Sequence, residues 1–308
     1  MAGPACFFRR DFMATASCLR SQRTLRRSVR FAGVGYWSGQ SVTLECHPAP
    51  AETGVVFVRT DCEPPVRLPL AIACQSDSPA RTNLRVGDVR VEMVEHLASS
   101  LAGLGIDCCE VRLDASELPG LDGSSTAYVE AFDEVGLEEL GAALRPIIVR
   151  EPVRVEEGNA WIEASPPTYS GLSVEYTLEH VHPHIGTQRV ALDVTPQAYR
   201  EQFAAARTFV TADEAARLLE AGLGRHVTRA ELLVFGDKGL EENTLRWADE
   251  CARHKALDLV GDLALAGRPV HAVVRACRSG HRLNARLVKS LLAHDREGGK
   301  ATSRGYRR

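Results

Sequence analysis

Apolar and polar side chains alternate along residues 24–60 with the period of two expected of half-buried strands. The alternation runs from "FAGVGYWSGQ" into "SVTLECHPA" and resumes in "GVVFVRTD", with Gly33, Gly35 and Gly39 placing tight turns between short strands. A further strand over 89–93 passes into "VEHLASSLAGLG", whose spacing predicts a helix that stops near Gly103 and Gly105. "CCEVRLDA" returns to strand. "GSSTAYVEAFDEVG" predicts a second helix, with Ser124 or Ser125 as its N-cap.

A proline-marked break near 146–154 is followed by the same kind of succession. "VRVEEGNAWIEASP" has the form of a hairpin, and "LSVEYTLEH" and "QRVALDVT" read as strands. "PQAYREQFAAART" and "ADEAARLLEAG" read as helices and "ELLVF" as a strand. Helices follow over about 247–261 and about 281–293. Strands followed by helices in both halves give the class α+β. The boundaries are an N-terminal domain over 21–143 and a C-terminal domain over 144–296, with a linker near 141–150 and a site between the halves. No exact sequence repeat accompanies this parallel. Residues 1–20 read as a tail, a targeting segment or a start placed too early, with Met13 as the true start; 297–308 read as a second tail.

Composition narrows the class. The chain has 308 residues, 44% apolar and 25% charged, with a formal net charge of -3, enough for one large core or two domains and without the basic excess of a nucleic-acid coat. No apolar run approaches the ~20 residues that span a bilayer. The nine cysteines include no CxxC pair and read as small buried hydrophobes of a reducing compartment, the cytoplasm.

Three short stretches could carry chemistry. In "CARHKALDLVGD" (251–262), His254, Asp258 and Asp262 are spaced four apart and share one helical face. A His–Asp pair one turn apart can hold a borderline ion such as zinc, and it can equally be an exposed, lightly paired couple. Glu95 and His96 sit where strand becomes helix, as a base beside a ligand or as a capping acid beside a half-buried histidine. His281 follows Gly280 at a helix start and suits a ligand, a general acid or a first-turn residue. His180, His182 and His184 in "HVHPHIG" alternate as in a strand and mimic a metal tract.

These stretches join through a resemblance. "RTLRRSVRFAGVG", "HPAPAETGVVFVRTD", "VEHLASSLAGLGID", "ELPGLDGSSTAYV", "HPHIGTQ", "AARTF", "LRWADECARHKALDLVGDLALAGRPV" and "SGHRLNARL" occur in an order and spacing similar to those of the UDP-3-O-acyl-N-acetylglucosamine deacetylases, zinc amidases of lipid A biosynthesis. The resemblance covers about Gln22 to Ala293. It implies His96, His254 and Asp258 as ligands of Zn2+ (or Fe2+), and Glu95 as general base. It also implies Thr208 as a group polarising the amide carbonyl, His281 as the acid that protonates the leaving nitrogen, and Asp262 as its carboxylate partner. Lys255 and Phe209 would contact substrate, an insert near 201–235 would form the acyl passage, and His182 would be a strand-end feature. The implied architecture is two similar two-layer α/β sandwich domains, helical layers packed between the sheets and zinc at their interface. The implied protein is a cytoplasmic monomer acting on a UDP-linked acylated glucosamine, with transient contact with membrane lipid at most.

Three departures accompany the resemblance. Trp37 stands where the family's glycine loop carries a histidine, Ala160 where well-known members place a lysine toward the diphosphate, and His226-Val227-Thr228 where the family has Gly-Gly-Ser, flanked by Arg225 and Arg229. None touches the implied catalytic set. Two alternatives follow: a paralogous zinc amidase acting on a different acylated amino sugar or nucleotide sugar, and a non-catalytic binding protein retaining the fold.

Overall fold

The computed structural model describes residues 20–78 and 80–304; the expectations for residues 1–19 lie outside them. The chain is α+β. Two large sheets are each built from two hairpins and one late central strand. In the first, β1 (Val29–Val34), β2 (Ser41–Pro48), β3 (Val55–Arg59), β4 (Val66–Pro69) and β5 (Cys109–Leu113) lie in the order β1-β2-β5-β3-β4. In the second, β6 (Val153–Glu157), β7 (Ala160–Ser165), β8 (Leu172–Glu179), β9 (Thr187–Asp193) and β10 (Val270–Cys277) lie in the order β6-β7-β10-β8-β9. The order is the same in both. β5 runs antiparallel to β2 and parallel to β3, and β10 runs antiparallel to β7 and parallel to β8.

A parallel neighbour demands a long crossover, and helices supply it. Helix α1 (Glu95–Leu104) precedes β5, and α2 (Thr126–Val135) follows it. After the short α3 (Ala212–Glu220), helix α4 (Glu250–Leu263) precedes β10 and α5 (His281–Arg304) follows it. Alternation decides which side chains face the helices: Val42, Leu44 and Cys46 of β2, and Val174, Tyr176 and Leu178 of β8, are buried while their neighbours are not. Helix α4 packs on β8 and β9, α5 packs on β6 and β7, and α1 packs on α4.

Helices α1 and α4 are buried on nearly every side; only Arg253 and Lys255 of α4 are not. They approach so closely that a Cβ on Gly261 would lie 2.2 Å from the backbone oxygen of Glu95. Gly105, at φ 71°, ends α1 in the left-handed conformation that favours glycine. Gly103 is not part of that stop. It leaves the space taken by the Tyr199 ring, which a Cβ would meet at 2.2 Å.

Several elements differ from expectation, some because a distant partner claims the backbone. The expected helix over 196–208 shrinks to one turn (Pro196–Ala198) and a wide turn (Tyr199–Phe203), because Phe209–Thr211 is drawn out as a strand parallel to Leu233–Gly236. Leu137–Ala143 pairs antiparallel with Ser21–Leu25, and Ile147–Ile148 pairs with β10, so strand enters the expected linker from both sides. "HVHPHIG" is a turn rather than a strand: the His180 amide donates to Gly186 O, and the His182 amide to His180 Nδ1. Ser125 stands at the α2 N-cap without capping, its hydroxyl donating instead to the His96 carbonyl oxygen; Ser124 accepts from the Thr126 amide. Helix α5 runs past 293 to Arg304, through Gly298 and Gly299.

Gly261→Ala is expected to cost about 1–3 kcal/mol, the range for overpacking a tight contact, despite alanine's better helix propensity. Urea unfolding of wild type and variant measures it.

Candidate active site

Four chain segments converge on one buried centre. Helix α1 brings Glu95 and His96 in its first turn, α4 brings His254, Asp258 and Asp262 along one face, α5 begins at His281, and the extended stretch before residue 209 brings Thr208. The left-handed backbone of Met93 (φ 60°) and Arg278 (φ 56°), both non-glycine, lies just ahead of Glu95 and of His281, where such strain gathers at functional sites.

His96, His254 and Asp258 each direct a ligand atom to within 4.8 Å of the others. His254 Nε2 is 3.4 Å and His96 Nε2 3.7 Å from Asp258 Oδ1, and the two rings meet edge-on with centroids 5.0 Å apart. His254 Nδ1 lies 3.1 Å from Ala206 O; a carbonyl only accepts, so Nδ1 carries the proton and Nε2 keeps its lone pair for a metal. Burial holds both histidines below the usual range, His96 at about 3, with the neighbouring histidine adding to the effect at His96. They are therefore neutral, as ligands must be. Burial opposes ionisation of Asp258, but His254, Lys255 and His281 outweigh it and hold the carboxyl well below the carboxylate range. Asp258 Oδ1 is buried with no hydrogen-bond partner, an arrangement that costs several kcal/mol in a protein interior unless a cation faces it. Two neutral imidazoles and one ionised carboxylate form the donor set of a three-ligand catalytic site, and the residues fit Zn2+ or Fe2+.

The flanking groups are tuned in opposite directions. Burial pushes the Glu95 carboxyl up to about 7, with Asp258 and Asp262 adding to it and His281 pulling against it. Its Oε2 accepts from the Thr82 amide at 3.0 Å. At His281 burial acts downward, but Asp262 overrides it and the pKa rises to about 9. His281 Nδ1 donates to Asp262 Oδ2 at 2.9 Å, which leaves Nε2 free, 4.0 Å from Asp258 Oδ2. Asp262 is itself held by Asn284 Nδ2 (2.8 Å) and the Thr82 hydroxyl, and Asn284 is held by Ser279.

These groups open on a cavity of about 630 Å³, whose lining includes Thr208, Phe209 and Lys255. Phe209 stands 6.5 Å from the His254 ring. On this wall the Lys255 Nζ donates to Asp258 Oδ2 at 2.7 Å. Trp37 lines the same cavity beneath the Arg81 guanidinium, 4.8 Å from the ring centroid, with its Nε1 buried and unpartnered. Of the altered 225–229 stretch, Val227 and Arg229 line the cavity; Arg225 and Ala160 do not. Arg229 is paired with Glu241 at 3.0 Å.

Sequence reasoning missed Thr82, which holds Glu95 by its amide and Asp262 by its hydroxyl. It also missed the buried Arg207–Glu250 pair (2.9 Å) that fixes the chain just before Thr208. Nothing local marks either, since their partners lie 13, 180 and 43 residues away. The feature that could have been read is Arg207 in "AARTF", a charged residue ahead of an apolar strand.

Metal binding is expected to show as linkage. Zn2+ at one hundred times its Kd raises the unfolding free energy by about 2.7 kcal/mol. Thermal unfolding at graded zinc concentrations measures this, and His254→Ala is expected to abolish the dependence.

Comparison with known proteins gives this geometry its context. The sequence profile of LpxC, UDP-3-O-acyl N-acetylglycosamine deacetylase, matches residues 22–293. The chain is 39% identical over 277 residues to the UDP-3-O-acyl-N-acetylglucosamine deacetylase of Pasteurella multocida, covering 89% of this chain and 90% of that protein. It is 40% identical over 278 residues to the protein of the same name from Mannheimia succiniciproducens, again covering 89% and 90%. A profile spanning nearly the whole chain, relatives matched over most of their length and a buried His-His-Asp centre agree: the chain belongs to the UDP-3-O-acyl-N-acetylglucosamine deacetylase family.

Proposed function

We propose that the chain catalyses the zinc-dependent hydrolysis of the N-acetyl amide of UDP-3-O-acyl-N-acetylglucosamine, releasing acetate and the free amine in lipid A biosynthesis. The observation that carries this reading is the buried, unpartnered Asp258 Oδ1 facing two neutral imidazoles, with a carboxyl and an imidazolium tuned in opposite directions beside it.

His96, His254 and Asp258 would hold the metal, which would supply Lewis acidity at the amide carbonyl and toward water near neutral pH. Glu95 takes the proton of the attacking water, a role suited to a carboxyl with a pKa of about 7. The Thr208 hydroxyl donates to the carbonyl oxygen as negative charge develops there. His281, a cation at neutral pH through Asp262, stabilises that charge and gives its Nε2 proton to the departing glucosamine nitrogen. Lys255 and Phe209 meet the substrate in the cavity, and the segment 201–235 receives the acyl chain. Support for that last role comes from Phe209, Leu218, Leu219, Leu223 and Val227, all on the cavity wall.

The same reading has two similar two-layer domains, over 21–143 and 144–296, with their helical layers between the sheets and the metal where they meet. The shared strand order and the α1–α4 packing support it. A monomer in the cytoplasm, making at most transient contact with membrane lipid, fits a chain whose described residues include no helix long and apolar enough to cross a membrane. Trp37, Val227 and Arg229 on the cavity wall favour a second reading, the same chemistry on a different acylated amino sugar.

Glu95→Gln is expected to lower kcat by about 10²–10⁴, the usual share of a general base, while zinc content stays at one per chain. Acetate release and metal analysis on the same preparation test this; undiminished release would remove Glu95 from the mechanism. Comparing kcat/KM for UDP-3-O-acyl-N-acetylglucosamine with that for other acylated amino sugars separates the two substrate readings.

A further inference from the structure

Beneath the metal-binding face lies a group of hydroxyls that the mechanism does not use. Tyr199 sits fully buried in the space left by Gly103, stacked on Phe203 at 5.7 Å, and its phenol donates to Ser99 Oγ at 2.8 Å. Ser99 Oγ donates onward to Leu257 O at 2.8 Å. That relay leaves the wide turn after Pro196, crosses α1 three residues beyond His96, and ends on α4 one residue before Asp258. Two more buried hydroxyls converge on the carbonyl oxygen of His96 itself, Ser100 Oγ at 2.8 Å and Ser125 Oγ at 3.0 Å.

A hydrogen bond between buried groups fixes both distance and direction, adding a directional constraint to the close packing of the two helices. Here one ligand comes from α1 and two come from α4, so the size of the donor triangle depends on how those helices are placed along and around each other. Gly261 sets how close they come; nothing in that contact sets their longitudinal register.

We propose that Tyr199 and Ser99 are positioning residues for the metal centre. The Tyr199–Ser99–Leu257 relay locks the register of α1 against α4 and thereby holds His96 at coordinating distance from His254 and Asp258. Ser100 and Ser125 fix the His96 backbone within the same lock. This rests on the reading of His96, His254 and Asp258 as the metal ligands.

The test uses the full chain, with Zn2+ affinity from chelator competition, the visible absorption spectrum of the Co2+-substituted protein, and kcat and KM. Tyr199→Phe and Ser99→Ala remove one hydroxyl each and are expected to weaken Zn2+ binding about tenfold, the low end for groups that orient metal ligands. They are expected to alter the Co2+ spectrum, and to lower kcat with KM unchanged. Leu68→Ala, a core truncation in β4, lowers the melting temperature while leaving every hydrogen bond of the relay in place, and is expected to leave Zn2+ affinity and the spectrum as in wild type. Wild-type affinity and spectrum in Tyr199→Phe would overturn the proposal, as would an equal loss of affinity in Leu68→Ala. Should Ser99→Ala not fold, Tyr199→Phe, which keeps every ring contact, decides alone. His254→Ala separates the two levels: if it binds Zn2+ normally, the ligand reading itself has failed.

Discussion

Helix α4 lies against α1 with a glycine at the crossing, and almost everything else in the site depends on that closeness. Because Gly261 has no side chain, the backbone of α4 reaches the backbone of Glu95, and a helix carrying three polar site residues is pressed into a water-poor interior. Desolvation then acts on every titratable group at once. It raises Glu95 and lowers His96 and His254 in a region where an unpaired charge is costly.

The fold answers that cost by sorting charges within a few ångströms. Asp258 remains ionised because two histidines, a lysine and an imidazolium surround it, and His281 remains cationic because Asp262 is held behind it by Asn284 and Thr82. Glu95, one residue from a ligand but bonded only to a backbone amide through Oε2, is left near neutrality. The three carboxyl groups thus differ in their partners: Asp258 faces the histidine pair, Asp262 accepts from His281, and Glu95 accepts from the Thr82 amide. Burial alone would have raised both Glu95 and Asp258, so their charged neighbours decide the opposite directions in which the two are held.

Of the departures from the family pattern, Trp37, Val227 and Arg229 lie on the cavity wall, and none replaces His96, His254 or Asp258. Trp37 occupies the position of a histidine but brings an unpartnered N–H and a face that holds Arg81, so the loop keeps polar character of a different kind. Arg229 reaches the cavity while committed to Glu241, and Ala160 lies outside it, paired across a strand with Glu157.

Much of this was readable from residue order alone. Alternation in β2 and β8, the "VEH" junction and the spacing of His254, Asp258 and Asp262 are local, since periodicity and helical geometry are properties of consecutive residues. The same locality explains the errors. "PQAYREQFAAART" has the pattern of a helix, yet Phe209 pairs with Leu233 and Arg207 is spent on Glu250, so long-range partners overrode local propensity. The histidines of "HVHPHIG" alternate as in a strand, yet the His182 amide bonds His180 Nδ1 and the segment turns. Residue order and the family resemblance together pointed to His96, His254 and Asp258, which the structure brings into one cluster. Only the tertiary structure decided that Thr82 would serve both Glu95 and Asp262, and that Tyr199 would reach through Gly103 to Ser99. Those contacts join residues that no period connects, and they exist only once two buried helices have been brought within backbone contact.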